Sequence, residues 1–208
     1  MAIETLDEKR LLEAVQILVE RDADLAGVVQ RYGPPPLWSR PPGFATLVRI
    51  ILEQQVSLAS AQAAFNRLQN AAGELTLPAF LLFSDAELKS FGFSRQKARY
   101  CRLLAEDLAR GALDLDRLEE LEDAAVRGRL VELKGIGPWS ADIYLLMALR
   151  RPDIWPRSDL ALLIAVGRLK KLPAPPTPAE FEQIGEAWRP WRSVAARLAW
   201  FEYLGGRG

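Results

Sequence analysis

The sequence contains no histidine and a single cysteine, Cys101. The first absence removes imidazole acid–base catalysis, the Ser–His–Asp triad and most zinc sites. The second removes an intrachain disulfide and an iron–sulfur cluster, and a lone thiol suits a reducing compartment. Cys101 reads as a small apolar residue on a helix. Excess charge is missing too: 27 basic residues balance 27 acidic ones. Any contact with a polyanion must therefore be local rather than driven by bulk charge. No hydrophobic run is long enough to span a bilayer, and the acidic, amphipathic start MAIETLDEKRLLEAV lacks a secretory h-region. These features predict a soluble, cytoplasmic protein, associated with the nucleoid if bacterial, with no membrane partner.

What remains is 208 residues, half of them hydrophobic. That suffices for one sizeable core or for two lobes. Strand-like alternation is missing, while apolar stripes of period 3.6 recur. They run through Leu11, Val15, Leu18 and Val19; Phe44, Leu47, Val48 and Ile51; and Leu58, Ala61, Phe65 and Leu68. Others hold Cys101, Leu104, Ala105 and Leu108; Val126, Leu130 and Leu133; and Phe181, Ile184 and Trp188. Ser57, Ser84, Ser94 and Thr177 stand where N-caps belong, and Glu87 three residues after Ser84 predicts a capping box. The class is all-α. The proline-rich stretch Gly33–Gly43 is the candidate crossover between two helical lobes.

Two segments carry chemistry. In LKGIGPWSADIYLLMAL, a helix carrying Val126, Leu130 and Leu133 runs into Gly135-Ile136-Gly137, and Pro138 opens an apolar, buried helix. Two glycines before a helix N-terminus can take positive φ and bring bare N–H groups to an anion. Such a grip needs no basic side chain. Taken alone, the same Gly-x-Gly reads as an ordinary tight turn. Downstream, in PDIWPRSDLALLIAVGRL, Ser158 or Asp159 caps another apolar helix. Asp159 alone reads as a plain N-cap. Its alternative role is a carboxylate fixed beside a sugar on which positive charge develops as a glycosidic bond breaks.

Four segments in order, ILEQQVSLASA, LKGIGPWSADIYLL, DIWPRSDLAL and AWRPWRSVAARLAWFEYL, span most of residues 43–204. Together they resemble the helix–hairpin–helix DNA glycosylase superfamily, in its 3-methyladenine DNA glycosylase II (AlkA-like) branch. The resemblance implies two helical lobes with a central cleft: residues 43–151 with the helix–hairpin–helix motif, and residues 1–42 together with 152–208. It implies a monomer that flips a damaged base out of double-stranded DNA and hydrolyses its N-glycosidic bond. Alkylated purines of the 3-methyladenine and 7-methylguanine type are the expected substrates. The alternative is a non-catalytic DNA-binding module that keeps the hairpin.

Carried over by position, Asp159 is the catalytic carboxylate, and Gly135, Ile136, Gly137 and Ser140 form the DNA-binding hairpin. Gln55, following Gln54, matches the wedge that fills the gap left by the flipped base. Two glutamines closing an apolar stripe make poor core, which argues for exposure. Trp139 and Trp200 match aromatic positions near the base pocket, where an electron-rich ring favours a cationic alkylated purine. Ile143 and Leu160 fall where some relatives carry tyrosine, which implies a wider or less polar pocket. Trp139 also occupies the position of the Schiff-base lysine of bifunctional relatives; an indole forms no imine, so no lyase step is expected. Carbonyls of Val131, Leu133 and Ile136 match positions that hold a structural Na+ or K+. No other cofactor is implied, neither zinc nor an iron–sulfur cluster. Arg95, Lys97, Arg99 and Arg102 crowd one segment, as phosphate contacts or as a solvated helix face. Trp38, Trp155, Trp188 and Trp191 are expected to pack the lobes.

Overall fold

The computed structural model describes residues 4–207. Among them are 12 α-helices, one 3-10 helix (Asp116–Glu120) and no strand. The described residues include no helix long and apolar enough to cross a membrane. The chain forms two units, Arg40–Tyr144 and the pair Met1–Ser39 with Leu145–Gly208.

In the unit Arg40–Tyr144, α3 (Phe44–Glu53) packs on α4 (Leu58–Ala72) and α7 (Arg95–Ala109). The short helices α5 (Leu77–Leu81) and α6 (Asp85–Phe91) cover α7. Then come α8 (Asp123–Val131) and α9 (Pro138–Met147), inside which the division falls. The stripes of α3 and α7 are buried along their whole length. Three stripe assignments fail at their ends, one of them Trp188, which lies past the helix that holds Phe181 and Ile184. Leu58, first residue of α4, is 60% exposed, and Leu133 lies beyond α8, buried in the turn that follows. The α9 helix is buried from Ser140 onward, Asp142 included, as its largely apolar sequence requires.

In the other unit, α1 (Glu8–Arg21) and α2 (Ala23–Tyr32) pack with α12 (Arg192–Tyr203), and α12 packs on α10 (Leu160–Leu169). Helix α11 (Pro178–Glu186) carries Phe181, whose ring stacks on Trp155 at 4.6 Å between centroids. Trp188 meets Trp155 edge-on at 5.5 Å. Gly185 is glycine because the Trp155 indole would stand 2.7 Å from its Cβ. Trp38 and Trp191 are only half-buried.

Side-chain caps begin the helices where the sequence places them. Ser57, Ser84, Ser94 and Thr177 each accept a backbone N–H two or three residues into the helix, and Ser84–Glu87 closes as a capping box. Thr177 and Glu180 form a second box. Such caps satisfy N–H groups that no helical carbonyl can reach.

Arg197 is the tie that sequence patterning gives no hint of. It has no solvent exposure and donates to three main-chain carbonyls, those of Leu37 (2.8 Å), Leu146 (2.8 Å) and Ser193 (3.0 Å). Burial pushes its guanidinium down to about 9, so it stays cationic at neutral pH. A guanidinium suits the task because its donors fan out in a fixed plane.

Candidate functional site

The hairpin is the turn Glu132–Gly137 between α8 and α9. Its core is a tight turn in which Ile136 N–H donates to Leu133 C=O at 3.1 Å, and Ala141 N–H closes the first turn of α9 on Gly137 C=O at 3.0 Å. The two glycines differ in kind. Gly135 has φ +93, and a Cβ there would stand 2.6 Å from Cγ of Tyr100, a residue of α7. Folding alone therefore demands glycine. Gly137 does not have positive φ, and a Cβ placed on it meets nothing within 4 Å. The expectation that both glycines serve left-handed backbone thus holds for the first and fails for the second. Nothing within the chain requires Gly137 to lack a side chain.

Around the turn stand three supports. Arg127 of α8 donates to Asp142 of α9, with Nε 2.7 Å from Oδ1, and so ties the two helices across the hairpin. Tyr100 packs its ring under Gly135. Gln54, at the end of α3, places its amide nitrogen 2.9 Å from Gly135 C=O and 2.9 Å from Ser140 Oγ.

Of the residues expected to form the DNA-binding surface, Gln54, Ser140 and Ile136 have their side chains engaged or buried within the chain. Ser140 is 1% exposed and its hydroxyl faces Gln54 behind the turn. The Ile136 side chain is buried and its N–H is spent on Leu133. Gln54 is half-buried with its amide engaged, so the argument that both glutamines are exposed because they make poor core holds for Gln55 alone. Gln55 is exposed, with φ +56, a left-handed conformation that a non-glycine residue adopts at a cost. Its neighbours Val56 and Leu58 are exposed hydrophobics.

The basic segment on α7 is mixed. Lys97 Nζ donates to Leu52 C=O in the last turn of α3 at 2.7 Å, and burial lowers its pKa. Arg102 bonds Phe83 C=O and Asp85. Arg95 and Arg99 are exposed. Only the latter pair fits a solvated face.

Asp159 belongs to the other unit. It is the N-cap of α10 and 8% exposed; its Oδ1 accepts the Leu162 N–H at 2.6 Å. The indole N–H of Trp200, on α12, points at the same oxygen from 3.4 Å. The structure thus brings Asp159 and Trp200 together, a pairing that sequence spacing cannot supply. Leu160, next to Asp159, is 70% exposed at the start of α10. On α9, Trp139 is half-buried and Ile143 is buried. Residues that sequence reasoning missed are Tyr100, Arg127 and Asp142, all recruited by packing around the hairpin. An aromatic, an arginine and a buried aspartate leave no local signature of such a task.

Among the described residues no cluster of His, Cys, Asp or Glu is placed to hold a metal. The candidate cation ligands Val131, Leu133 and Ile136 offer main-chain carbonyls, hard oxygen donors of the kind that suit Na+ or K+. The Leu133 carbonyl already accepts one hydrogen bond and retains a second lone pair.

An all-helical architecture is what the comparisons with known proteins return. The profile of the HhH-GPD superfamily base excision DNA repair proteins matches residues 48–190. The chain belongs to that superfamily. It is similar to DNA-3-methyladenine glycosylase 1 of Schizosaccharomyces pombe, 28% identical over 94% of this chain and 92% of that protein. It is also similar to a probable bifunctional transcriptional activator/DNA repair enzyme AlkA of Mycobacterium tuberculosis, 30% identical over 88% of this chain but 40% of that protein. In structure it resembles S. pombe 3-methyladenine DNA glycosylase Mag1 in complex with abasic DNA, with TM-score 0.83 and 26% identity over 91% of this chain and 95% of that one. A DNA-3-methyladenine glycosidase from Bacillus halodurans gives TM-score 0.73 and 27% identity over 98% and 93%.

Proposed function

We propose that this protein is a monofunctional DNA glycosylase that hydrolyses the N-glycosidic bond of alkylated purines in duplex DNA, after flipping the base out of the stack. The observation that carries the reading is Gly137, which neither its φ nor any neighbouring atom requires to be glycine. Bare backbone at the mouth of a helix N-terminus is what close approach of a phosphate needs. Membership in a base excision repair superfamily and similarity to proteins named 3-methyladenine glycosylases support it.

In this reading, main-chain N–H groups around Gly135–Gly137 grip a backbone phosphate, and Gln55 enters the stack where the base has left. The carbonyls of Val131, Leu133 and Ile136 would hold a monovalent cation, whose charge adds to the attraction for the phosphate. As the bond from C1′ to the base nitrogen lengthens, positive charge grows on the sugar, and the Asp159 carboxylate stabilises it. Water adds its oxygen to C1′ and gives up a proton, while the base departs with the bonding electron pair. A base that is already cationic leaves without prior protonation, so one carboxylate suffices. The indole faces of Trp139 and Trp200 favour a cationic purine over a neutral one. With tryptophan at position 139, the deoxyribose stays in the backbone as an abasic site and the strand is left uncut.

The test is release of 3-methyladenine and 7-methylguanine from alkylated duplex, by wild type and by Asp159→Asn. Wild type should release both without nicking in the absence of alkali, and the variant should be severely impaired. Two inert proteins that still bind duplex would establish a binding module instead.

A further inference from the structure

We propose that Gln54 is a positioning residue that locks the Gln55 turn to the hairpin, so that gripping the phosphate and placing Gln55 are one rigid act. The inference rests on the reading above that hairpin and turn both meet DNA. It assigns Gln54 a task other than touching DNA.

Helix α3 stops at Glu53, and within two residues the chain passes from extended at Gln54 to left-handed at Gln55. A left-handed non-glycine residue is strained and persists where its surroundings over-determine it. The two sides of this turn are held by different partners. On the helix side, Lys97 Nζ holds the Leu52 carbonyl at 2.7 Å. On the hairpin side, the Gln54 amide reaches Gly135 C=O and Ser140 Oγ, both at 2.9 Å. A primary amide has two N–H donors, and this geometry engages both. Turning the amide over would aim its oxygen at the Gly135 carbonyl, acceptor against acceptor, so only one orientation fits.

Each partner of Gln54 is itself immobile. Gly135 is pinned against the Tyr100 ring, and Ser140 is buried in the first turn of α9. The strut therefore joins two elements far apart in sequence at the two points where they meet DNA in this reading. One glutamine faces in and braces; the next faces out, unsupported by packing, and is free to enter the duplex.

The experiment is a double-mutant cycle of Gln54→Leu and Gln55→Ala in the Asp159→Asn background, reading duplex affinity, with melting temperature as a control. Gln54→Leu should weaken binding about tenfold, and Gln55→Ala should lose most of its effect once Gln54 is leucine. Hydrogen exchange at Gly135–Gly137 should quicken in Gln54→Leu at unchanged global stability. With Asp159 restored, Gln54→Leu should raise KM and leave kcat near wild type. Ser140→Ala, a milder change, should reproduce part of the effect if the leucine variant folds poorly. Wild-type affinity in both Gln54→Leu and Ser140→Ala, or strictly additive effects of Gln54→Leu and Gln55→Ala, overturns the proposal. The binding cycle needs no base release, so failure of the glycosylase reading would show separately in the wild-type assay.

Discussion

Trp200 aims its indole N–H at the same oxygen of Asp159 that caps α10, with 3.4 Å between nitrogen and Oδ1. One carboxylate oxygen thereby receives donors from two helices, its own and α12. This separates two functions that a single substitution would confuse.

Asparagine caps helices about as well as aspartate, whereas alanine costs about 1 kcal/mol. Asp159→Asn should therefore melt near wild type and lose base release by a factor of at least about 100, the scale of a lost charge-stabilising group. Asp159→Ala should lose both activity and about 1 kcal/mol of stability. Trp200→Phe keeps the ring and removes the N–H, so single-turnover release should slow while the fold persists. Equal activity of wild type and Asp159→Asn would remove the carboxylate from the chemistry.

The two hairpin glycines should respond oppositely to alanine. Gly135→Ala meets both φ +93 and the Tyr100 ring, and should destabilise by about 2–4 kcal/mol. Gly137→Ala has open space and no left-handed backbone, so its melting point should barely move. Its duplex affinity should nevertheless fall about tenfold, because in the proposed grip a methyl group would stand where phosphate approaches. Undiminished binding by Gly137→Ala would contradict the grip.

Arg197→Met should be costly despite matching the volume of its stem. It strips the donor from the carbonyls of Leu37, Leu146 and Ser193 at once, and each buried unpaired group costs about 1–3 kcal/mol. Arg197→Lys should rescue little, since one ammonium cannot reproduce the planar fan. Chemical denaturation measures both.

Asp22 gives the pH dependence. It caps α2 and accepts Lys170 Nζ at 2.6 Å and Trp188 Nε1 at 2.8 Å. Burial raises its pKa, but hydrogen bonds from Lys170 and Trp188 outweigh that and leave it below 3.8. Lys170 is likewise opposed by burial, yet its bonds to Asp22 and Asp24 raise it above 10.5. The aspartate's contribution is present above the unfolded pKa and fades as pH falls through the lower folded value. The lysine's is present below 10.5 and fades as pH rises through the higher one. Asp22→Asn should therefore reduce stability, by about 2 kcal/mol, on the plateau between those limits, with the difference from wild type shrinking as pH falls through the lowered folded pKa. A constant difference down to acid would refute the assignment.

Local chemistry made much of this protein legible. Ser57, Ser84, Ser94 and Thr177 were readable as caps because a cap needs only its own next three residues. The stripes of α3 and α7 were readable because a helix buries one face whatever covers it. Gly-x-Gly followed by Pro138 marked the hairpin, since turn geometry is a property of the residues within it. Motif order then tied the hairpin to Asp159.

What the chain's order could not reveal is who stands behind each turn. Gln54 and Gln55 are neighbours with identical side chains, yet one is spent on Gly135 and Ser140 and the other is exposed. Gly135 and Gly137 differ likewise, because Tyr100 crowds only the first. The sequence by itself determined the helices, their caps and the place of the turn, all matters of short-range backbone and hydrophobic preference. Tertiary structure alone decided that Trp200 reaches Asp159, that Arg197 ties three segments and that Gln54 braces the hairpin. Hydrogen bonds reach about 3 Å through space and take no account of separation along the chain.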